Sequence, residues 1–174
     1  QESHAVVLET YDFGGQEIYY AMHHLFLTDH GIYLVCIDLS TFSGTHAEGA
    51  NASQGELTDD TCAPEIAKTW EAIEWWLASI SIHAPNAHCA IVGTHDDCLD
   101  PAVRPSVHRR VHERIVALCR RMPELNACLQ VNEAGQLCFF PVDNSAADGG
   151  ASVALLCGAV DAMSTQLLRG TLGE

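Results

Sequence analysis

Positive charge is scarce in this chain. Its 174 residues include 8 Lys and Arg against 23 Asp and Glu, so the formal net charge is −15, and Lys68 is the single lysine. Because so acidic a surface repels phosphates, neither duplex nucleic acid nor an anionic membrane is an expected partner. Six of the eight basic residues lie in one segment, 104–121. We interpret this segment as a solvated helix face that could also dock an acidic loop or a neighbouring domain.

Paired cysteines and long apolar runs are also missing. None of the eight cysteines forms a Cys-x-x-Cys pair, which argues against a zinc or disulfide framework. Cys36, Cys89 and Cys138 lie inside apolar runs, where a cysteine is usually a small buried residue. We therefore expect reduced thiols in an intracellular, cytoplasmic protein. No uninterrupted apolar run approaches the ~18 residues that a membrane span needs, so no transmembrane segment is expected.

Alternating strand and helix patterns predict an α/β fold. Four short apolar runs predict strands, at 5–11, 32–39, 88–94 and 137–142. The last three are nearly continuous in apolar residues, as in strands buried on both faces of a parallel sheet. Apolar residues at helical spacing predict helices over 66–80, 107–118 and 151–169. The sequence thus predicts a mainly parallel sheet with helices on both faces.

Two segments look like insertions into this pattern. Residues 43–65 carry five acidic residues and no Lys or Arg, together with several Gly, Ser and Asn, which predicts a solvated loop. Residues 125–138 have two short apolar runs around Asn-Glu-Ala-Gly, which predicts a small hairpin at the edge of the sheet.

Three of the predicted strands end in polar loops. The loops are Asp12-Phe13-Gly14-Gly15-Gln16-Glu17, Thr94-His95-Asp96-Asp97 and Asp143-Asn144-Ser145. Each one alone could be turn chemistry. Because ligands of open parallel sheets bind at the carboxyl ends of the strands, three such loops on one edge predict a binding site there.

Taken in order, these loops resemble the motifs of a GTPase. DFGGQ at 12–16 has the Asp-x-x-Gly-Gln form, VGTHDD at 92–97 follows about 80 residues later, and FFPVDNS closes the set at 139–145. Together with the intervening YY-x-x-H, they resemble the Roc domain of Roco proteins, large signalling proteins with a Ras-like GTPase unit. Many GTPases have Asn-Lys-x-Asp where Roc domains often have Thr-His-x-Asp, as this chain does.

The resemblance implies a role for each loop. In the first, Asp12 would hold Mg²⁺ through water and the N–H of Gly15 would reach the γ-phosphate of GTP. Gln16 would orient the hydrolytic water. In the second, Asp97 would accept two N–H groups of guanine, supported by Thr94 and His95. The third loop, with Asn144 and Ser145, would touch the guanine carbonyl through backbone N–H groups.

The chain departs from a Ras-like domain at one point, since it lacks the phosphate-binding motif GxxxxGK[ST]. The expected fold is therefore a Ras-like P-loop NTPase sheet without its first strand and P-loop. We interpret residues 1–174 as a partial Roc domain of a longer parent that binds GTP and GDP with Mg²⁺ and hydrolyses GTP slowly. The chain alone is expected to be inactive.

The resemblance also implies neighbours in the parent. A COR dimerisation domain often follows Roc, leucine-rich repeats often precede it, and a serine/threonine kinase domain sometimes lies beyond, so a homodimer is possible. The alternative hypothesis is a degenerate module without nucleotide that serves for dimerisation or domain contacts.

Several other residues allow two interpretations. His108 and His112, spaced i, i+4, could bind a metal, but without an evident third ligand we expect them on a solvated helix face. Asp96 could cap the turn that follows it. His23 is interpreted as a packing or hydrogen-bonding residue. Trp70, Trp75 and Trp76 are expected in the core, except that one of the last two must point away from the main helix face.

Overall fold

The computed structural model describes residues 9–13, 25–43, 64–145 and 150–172. Its elements follow in chain order: β1 (Ile32–Asp38), a 3₁₀ turn (Leu39–Phe42), α1 (Pro64–His83), β2 (His88–Thr94), a 3₁₀ turn (Asp96–Cys98), α2 (Arg104–Arg121), α3 (Leu125–Cys128), β3 (Leu129–Gln130), β4 (Phe140–Pro141) and α4 (Gly150–Leu172).

The described strands form one parallel sheet around β2. β1 pairs with β2 along its whole length, from Ile32 opposite His88 to Asp38 opposite Thr94. On its other side β2 pairs first with β3, where Cys89 is opposite Leu129, and then with β4, where Val92 is opposite Phe140. β2 is therefore the central described strand, which is why its five middle residues are all buried.

One face of the sheet packs against α1 and α2. Val35 and Ile37 of β1 and Cys89 and Ile91 of β2 point into this core, together with Phe139. α1 contributes side chains at alternating steps of three and four residues, as the sequence predicts: Ile66, Trp70, Ile73, Leu77 and Ile80. α2 does the same with Val107, Val111, Ile115 and Leu118. We call this the α1–α2 face.

The opposite face packs against α4 and is less completely covered. Its core consists of Ala90, Val92, Phe140, Val142 and Met163. We call it the α4 face. Here β1 departs from the prediction, because its outward residues stay in contact with solvent: Leu34 is 44% exposed and Cys36 is exposed. The expectation that this strand and Cys36 are buried on both sides was wrong, since on this face β1 packs against the α4-face core at Ile32, whereas Leu34 and Cys36 stay exposed.

Other boundaries also differ from the sequence patterns. Residues 9–11, the end of the first predicted strand, are irregular, and residues 5–8 lie outside the described residues. The run 137–142 forms a strand only at Phe140–Pro141. Pro64 and Glu65, placed in the predicted acidic loop, begin α1 instead, because a proline suits the first turn of a helix. The rest of that loop, 44–63, lies outside the described residues.

The segment 125–138 combines three short structures. It begins as the four-residue helix α3 and continues as β3, parallel to β2. Asn132 and Leu137 then pair in antiparallel fashion around a turn. Asn132 is buried and its side-chain oxygen accepts the N–H of Gly135 at 3.0 Å, which closes the turn. That the segment is an insertion stays a prediction.

α4 is long and apolar. Residues 150–170 have a mean hydropathy of 1.4, enough by length and composition for a membrane-spanning helix, and 6% of that stretch is buried. Small residues contribute to this hydropathy, and Val153, Leu156 and Met163 pack on the sheet. Because length and composition alone do not separate a membrane helix from one that packs on a sheet, the expectation of no transmembrane segment stays a prediction.

Candidate functional site

The carboxyl ends of β1, β2 and β4 lie side by side. Asp38, the last residue of β1, is opposite Thr94, the last residue of β2. The Thr94 hydroxyl donates to the carbonyl of Ile37 at 3.1 Å and so joins the two strand ends. Beyond β4, the N–H of Val142 donates to the carbonyl of Gly93 at 2.7 Å. The loops that follow these three strands therefore leave the sheet at one edge.

Gly93 is required where β2 reaches this edge. A Cβ added to it would lie 2.8 Å from the side chain of Leu39, which is fully buried beneath the strand end. A larger residue at this position would therefore require the Leu39 side chain to shift.

The Thr94–Asp97 loop turns sharply as it leaves β2. His95 has φ 58° and ψ 32°, the left-handed region that a residue with a side chain adopts at a cost in free energy. The N–H of Asp96 then donates to the carbonyl of Val142 at 3.3 Å, and residues 96–98 form a 3₁₀ turn. Strained backbone of this kind, held by its surroundings, is often found at binding sites.

Three acidic residues at this edge act on the thiol of Cys98: Asp38 at the end of β1, Asp97 after β2 and Asp143 after β4. Partial desolvation, and next the carboxylate of Asp97, raise the pKa of the Cys98 thiol, with further contributions from Asp38 and Asp143. The Cys98 Sγ lies 3.8 Å from Oδ2 of Asp97. The ends of the strands that carry these acids are neighbours, because Asp38 is opposite Thr94 and the N–H of Val142 bonds to the carbonyl of Gly93. This edge of the sheet is thus negative and suits a ligand that presents N–H donors.

Asp96 and Asp97 face different surroundings although they are neighbours in the chain. The Asp97 side chain is exposed. The Asp96 side chain is 14% exposed and contacts α2, where its Oδ1 lies 2.6 Å from Nε2 of His108 and its Oδ2 lies 3.5 Å from Nε of Arg104. The alternative role of Asp96 as a turn cap is not what the structure shows, since the turn 96–98 has no side-chain cap and the Asp96 carboxylate contacts α2.

The two histidines of α2 are only partly solvated, because each also makes a hydrogen bond within the fold. His108 binds Asp96, and Nδ1 of His112 accepts the backbone N–H of Cys138 at 3.1 Å. Within the described ranges, no group of three or more His, Cys, Asp or Glu is arranged to hold a metal. One sequence feature could have indicated that His108 acts with Arg104. The two residues are four positions apart, which puts both side chains on one face of α2.

The basic segment is likewise only partly solvated. Arg104 pairs with Asp96, Arg121 lies 2.8 Å from Glu74, and Arg110 donates to the carbonyl of Phe42 at 2.8 Å. The guanidinium of Arg114 lies over the ring of Trp70, 5.9 Å from its centre. These contacts connect α2 to α1 and to the loops at the ends of β1 and β2.

The Asp143–Ser145 loop is folded by its own side chains. Oδ1 of Asp143 accepts both the N–H of Ser145, at 2.8 Å, and its hydroxyl, at 2.6 Å. The N–H of Asp143 donates in turn to Oγ of Ser152 in α4, at 3.2 Å. Asn144 is exposed at the tip of this loop. Ser145 thus helps to shape the loop, and Asn144 is the side chain it presents.

Asp12 lies beside β1. It is exposed, and its carboxylate is the second cause, after desolvation, of the raised pKa of Cys36, two residues before the end of β1. The next residue, Phe13, packs against Phe26 and against Trp76 of α1, with ring centres 5.8 and 6.0 Å apart. Gly15, Gln16 and His23 lie outside the described residues, so their predicted roles stay predictions.

Comparison with known proteins identifies relatives in Dictyostelium discoideum. The chain is 29% identical over 109 residues to a probable serine/threonine-protein kinase, pats1, and 33% identical over 92 residues to another, roco6. A third, roco5, is 26% identical over 102 residues. These matches cover 63%, 53% and 59% of this chain, but only 3% of each relative.

No protein-family model matches the chain, and no solved structure is significantly similar to it. The partial similarities show that the chain contains a region related to Roco-family kinases. The parallel sheet with helices on both faces is compatible with a Ras-like fold.

Proposed function

We propose that this chain is the guanine-recognising part of a Roc-type GTPase unit within a larger Roco signalling protein. The observation that carries the proposal is the shared carboxyl edge of β1, β2 and β4, where the exposed Asp97 follows β2 and the neighbouring strands lead to Asp38 and Asp143. Similarity to Roco-family kinases supports it.

Guanine and adenine differ at the edge that Asp97 would contact. Guanine presents a ring N–H and an amino group side by side, and a carboxylate accepts both at once. Adenine does not offer this pair, and a site built for such hydrogen bonds rejects a ligand that lacks them by ~10⁴-fold in favourable cases. Thr94 and His95 would hold the loop, Thr94 through its bond to β1 and His95 through its turn.

The third loop would contact the opposite side of the base. Since the N–H of Ser145 already donates to Asp143, we assign the contact with the guanine carbonyl to the Asn144 part of the loop. Ser145 would act by keeping the loop in shape.

The phosphates of the ligand would be bound by the Asp12–Glu17 loop and by residues of the longer parent. Asp12 would hold Mg²⁺ through water, Gly15 would donate to the γ-phosphate, and Gln16 would orient the hydrolytic water. This chain has no GxxxxGK[ST] motif, so the phosphate cradle would come from residues of the longer parent. There, slow GTP hydrolysis would switch contacts with a COR domain or a second subunit.

A test can use Cys98 as a reporter of base binding. In the longer parent, GDP with Mg²⁺ should raise the melting temperature and slow the alkylation of Cys98 by N-ethylmaleimide, because the base would cover the Asp97–Cys98 edge. Cys157, exposed on α4, is the internal control, and ADP should protect neither thiol. In the 174-residue chain alone we expect no effect of GDP, since most of the stabilisation of a nucleotide comes from phosphate and metal contacts.

Substitution of Asp97 tests the role of its carboxylate. Asp97→Asn should abolish the GDP effect in the parent and create an effect of xanthosine diphosphate, whose second carbonyl accepts from the new amide. Asp100→Asn is a matched control, because Asp100 is also exposed and its carboxylate accepts the N–H of Ala102 within its own turn. If GDP changes neither the melting temperature nor Cys98 reactivity in the parent, the proposal is wrong and an interaction module without nucleotide becomes the better account.

A further inference from the structure

Two side chains of α2 hold the Thr94–Asp97 loop from beneath. His108 lies 2.6 Å and Arg104 3.5 Å from the two oxygens of Asp96, and the three side chains are largely shielded from solvent. Nε of Arg104 is buried and makes no hydrogen bond in the part of the chain that the structure describes, so Asp96 is the charge that compensates it. The far end of Arg104 reaches the carbonyl of Leu99, at 3.4 Å, just after the 3₁₀ turn.

His108 is itself fixed by the core. Its ring stands edge-on to the ring of Phe139, with the centres 5.7 Å apart and the planes at 88°. Phe139 is fully buried and lies directly before β4. The contact therefore links three parts of the edge: the loop after β2, helix α2 and strand β4.

The loop needs such support because of its backbone. His95 is held in the left-handed region, and Asp96 is bound through both its N–H and its carboxylate. With Asp96 held below the loop, Asp97 is left on the outer side, where its side chain is exposed. Release of Asp96 would let His95 return to a more ordinary conformation and would turn Asp97 away.

We propose that Arg104 and His108 are positioning residues for guanine recognition, acting through Asp96 to hold Asp97 in the orientation that meets the base. This inference rests on the proposed function as far as the base is concerned. The mechanical part, that α2 holds the loop, does not depend on any ligand and can be measured in this chain alone.

The first experiment measures hydrogen exchange at the loop in the 174-residue chain. The N–H groups of Cys98 and Leu99 bond within the turn, to His95 and Asp96. His108→Ala should raise their exchange rates by about tenfold, the change expected when one hydrogen bond to a charged group is lost. The N–H groups of Ile91 and Val92, in the middle of β2, report any loss of overall stability, and the rise at Cys98 and Leu99 should exceed theirs. His108→Gln keeps an N–H donor and should restore part of the protection.

His112→Ala is the matched control, because His112 lies one turn along the same helix and bonds to Cys138 instead of the loop. If His108→Ala leaves the exchange of Cys98 and Leu99 at the wild-type rate, or if His112→Ala raises it equally, α2 does not hold the loop and the inference is wrong.

The second experiment measures base selectivity in the longer parent. Inosine diphosphate lacks the amino group that Asp97 would bind, so the ratio of its Kd to that of GDP reports on the orientation of Asp97. His108→Ala and Arg104→Ala should lower this ratio by about tenfold, whereas general loss of stability would weaken both ligands alike. His108→Gln should recover part of the ratio, and His112→Ala should leave it unchanged.

The two experiments separate the possible failures. If the wild-type parent binds neither diphosphate, the proposed function fails and the exchange data alone decide whether α2 holds the loop. If it binds GDP selectively and the His108 and Arg104 variants keep the full ratio, the positioning role is refuted while the proposed function stands.

Discussion

The two faces of the sheet differ in how completely helices cover them. On the α1–α2 face, both β1 and β2 bury their side chains, and large residues such as Leu77, Ile115 and Phe139 are almost fully shielded. On the α4 face the buried core is smaller, Ile32 of β1 and Leu156 of α4 are only partly buried, and Leu34 of β1 remains 44% exposed. Because buried apolar area is the main source of stability, the α1–α2 face should carry most of it.

The same comparison applies to the candidate site. The side chains that support the loop after β2 come from α2, on the better covered face. The side chains that would meet a ligand, Asp97 and Asn144, are exposed. The side chains that hold the loop are thus partly buried, whereas those proposed to meet a ligand are exposed and can change with less effect on packing.

The largest expected effect tests the comparison directly with one leucine from each side. Leu77→Ala in α1 should lower the free energy of unfolding by ~2–5 kcal/mol, because Leu77 is 1% exposed and its loss leaves a cavity. Leu156→Ala in α4 should cost less, because Leu156 packs on the α4 face but is only partly buried. Urea unfolding of both variants measures this. Equal losses would mean that the two faces contribute equally.

A second prediction compares the neighbouring acids of the loop. Asp96→Ala should lower the free energy of unfolding by ~1–3 kcal/mol, because Arg104 and His108 would be left partly buried without their partner. Asp97→Ala should leave it unchanged within error, since that side chain is exposed. Thermal and urea unfolding of the two variants provide the measurement. A larger loss for Asp97 than for Asp96 would contradict the division between support and recognition.

A third prediction concerns alkaline pH and the thiol most deeply buried in the sheet. Burial, and to a smaller extent Cys128, raise the pKa of Cys89 above the 9.0 of a free thiol. As the pH rises above about 9, the unfolded chain loses this proton while the folded chain keeps it. The free energy of unfolding therefore has its full value below pH 9 and decreases at higher pH. The fall should reach about 1.4 kcal/mol per pH unit for this thiol.

Cys89→Ala should remove this part of the pH dependence, whatever it does to stability at neutral pH. Cys157→Ala, at an exposed position on α4, should leave the dependence as in the wild type. Urea unfolding at pH 8, 9 and 10 measures how the free energy of unfolding changes with pH in the wild type and in the two variants. A Cys89→Ala slope equal to that of the wild type would show that other groups cause the alkaline loss.

The smallest expected effect on stability comes from an exposed ion pair between the two helices that cover the α1–α2 face. Arg121 and Glu74 form an ion pair at 2.8 Å between α2 and α1, with side chains 55% and 40% exposed. Exposed pairs of this kind contribute ~0.2–1 kcal/mol, so Arg121→Ala should cost at most that much and the cost should fall in 0.5 M salt. A loss as large as that of Leu77→Ala would show that charge, and not packing, joins these helices.

Parts of this architecture could be predicted from the sequence. The helices α1 and α2 were predicted because their apolar residues recur every three or four positions, and the residues of that pattern are the buried ones. β2 was predicted to be buried on both faces because its run is continuous, and it is. The position of the Thr94–Asp97 loop at the end of β2 follows from the same run.

Other parts could not be predicted, because they depend on which element lies opposite. Cys36 belongs to a run as apolar as that of Cys89, yet one thiol is exposed and the other buried. Asp96 and Asp97 are chemically identical neighbours, and only the approach of α2 makes one a support and leaves the other outward. His108 looked like a solvated residue because its partner is 12 positions away.

The sequence by itself thus determined the elements with strong local patterns and the order in which polar loops follow the strands, because periodicity and strand ends are local properties. The tertiary structure decided which face of each strand is covered, where the charges of α2 find their partners, and which of two adjacent carboxylates stays exposed. These depend on distances between segments far apart in the chain, and local residue patterns carry no information about them.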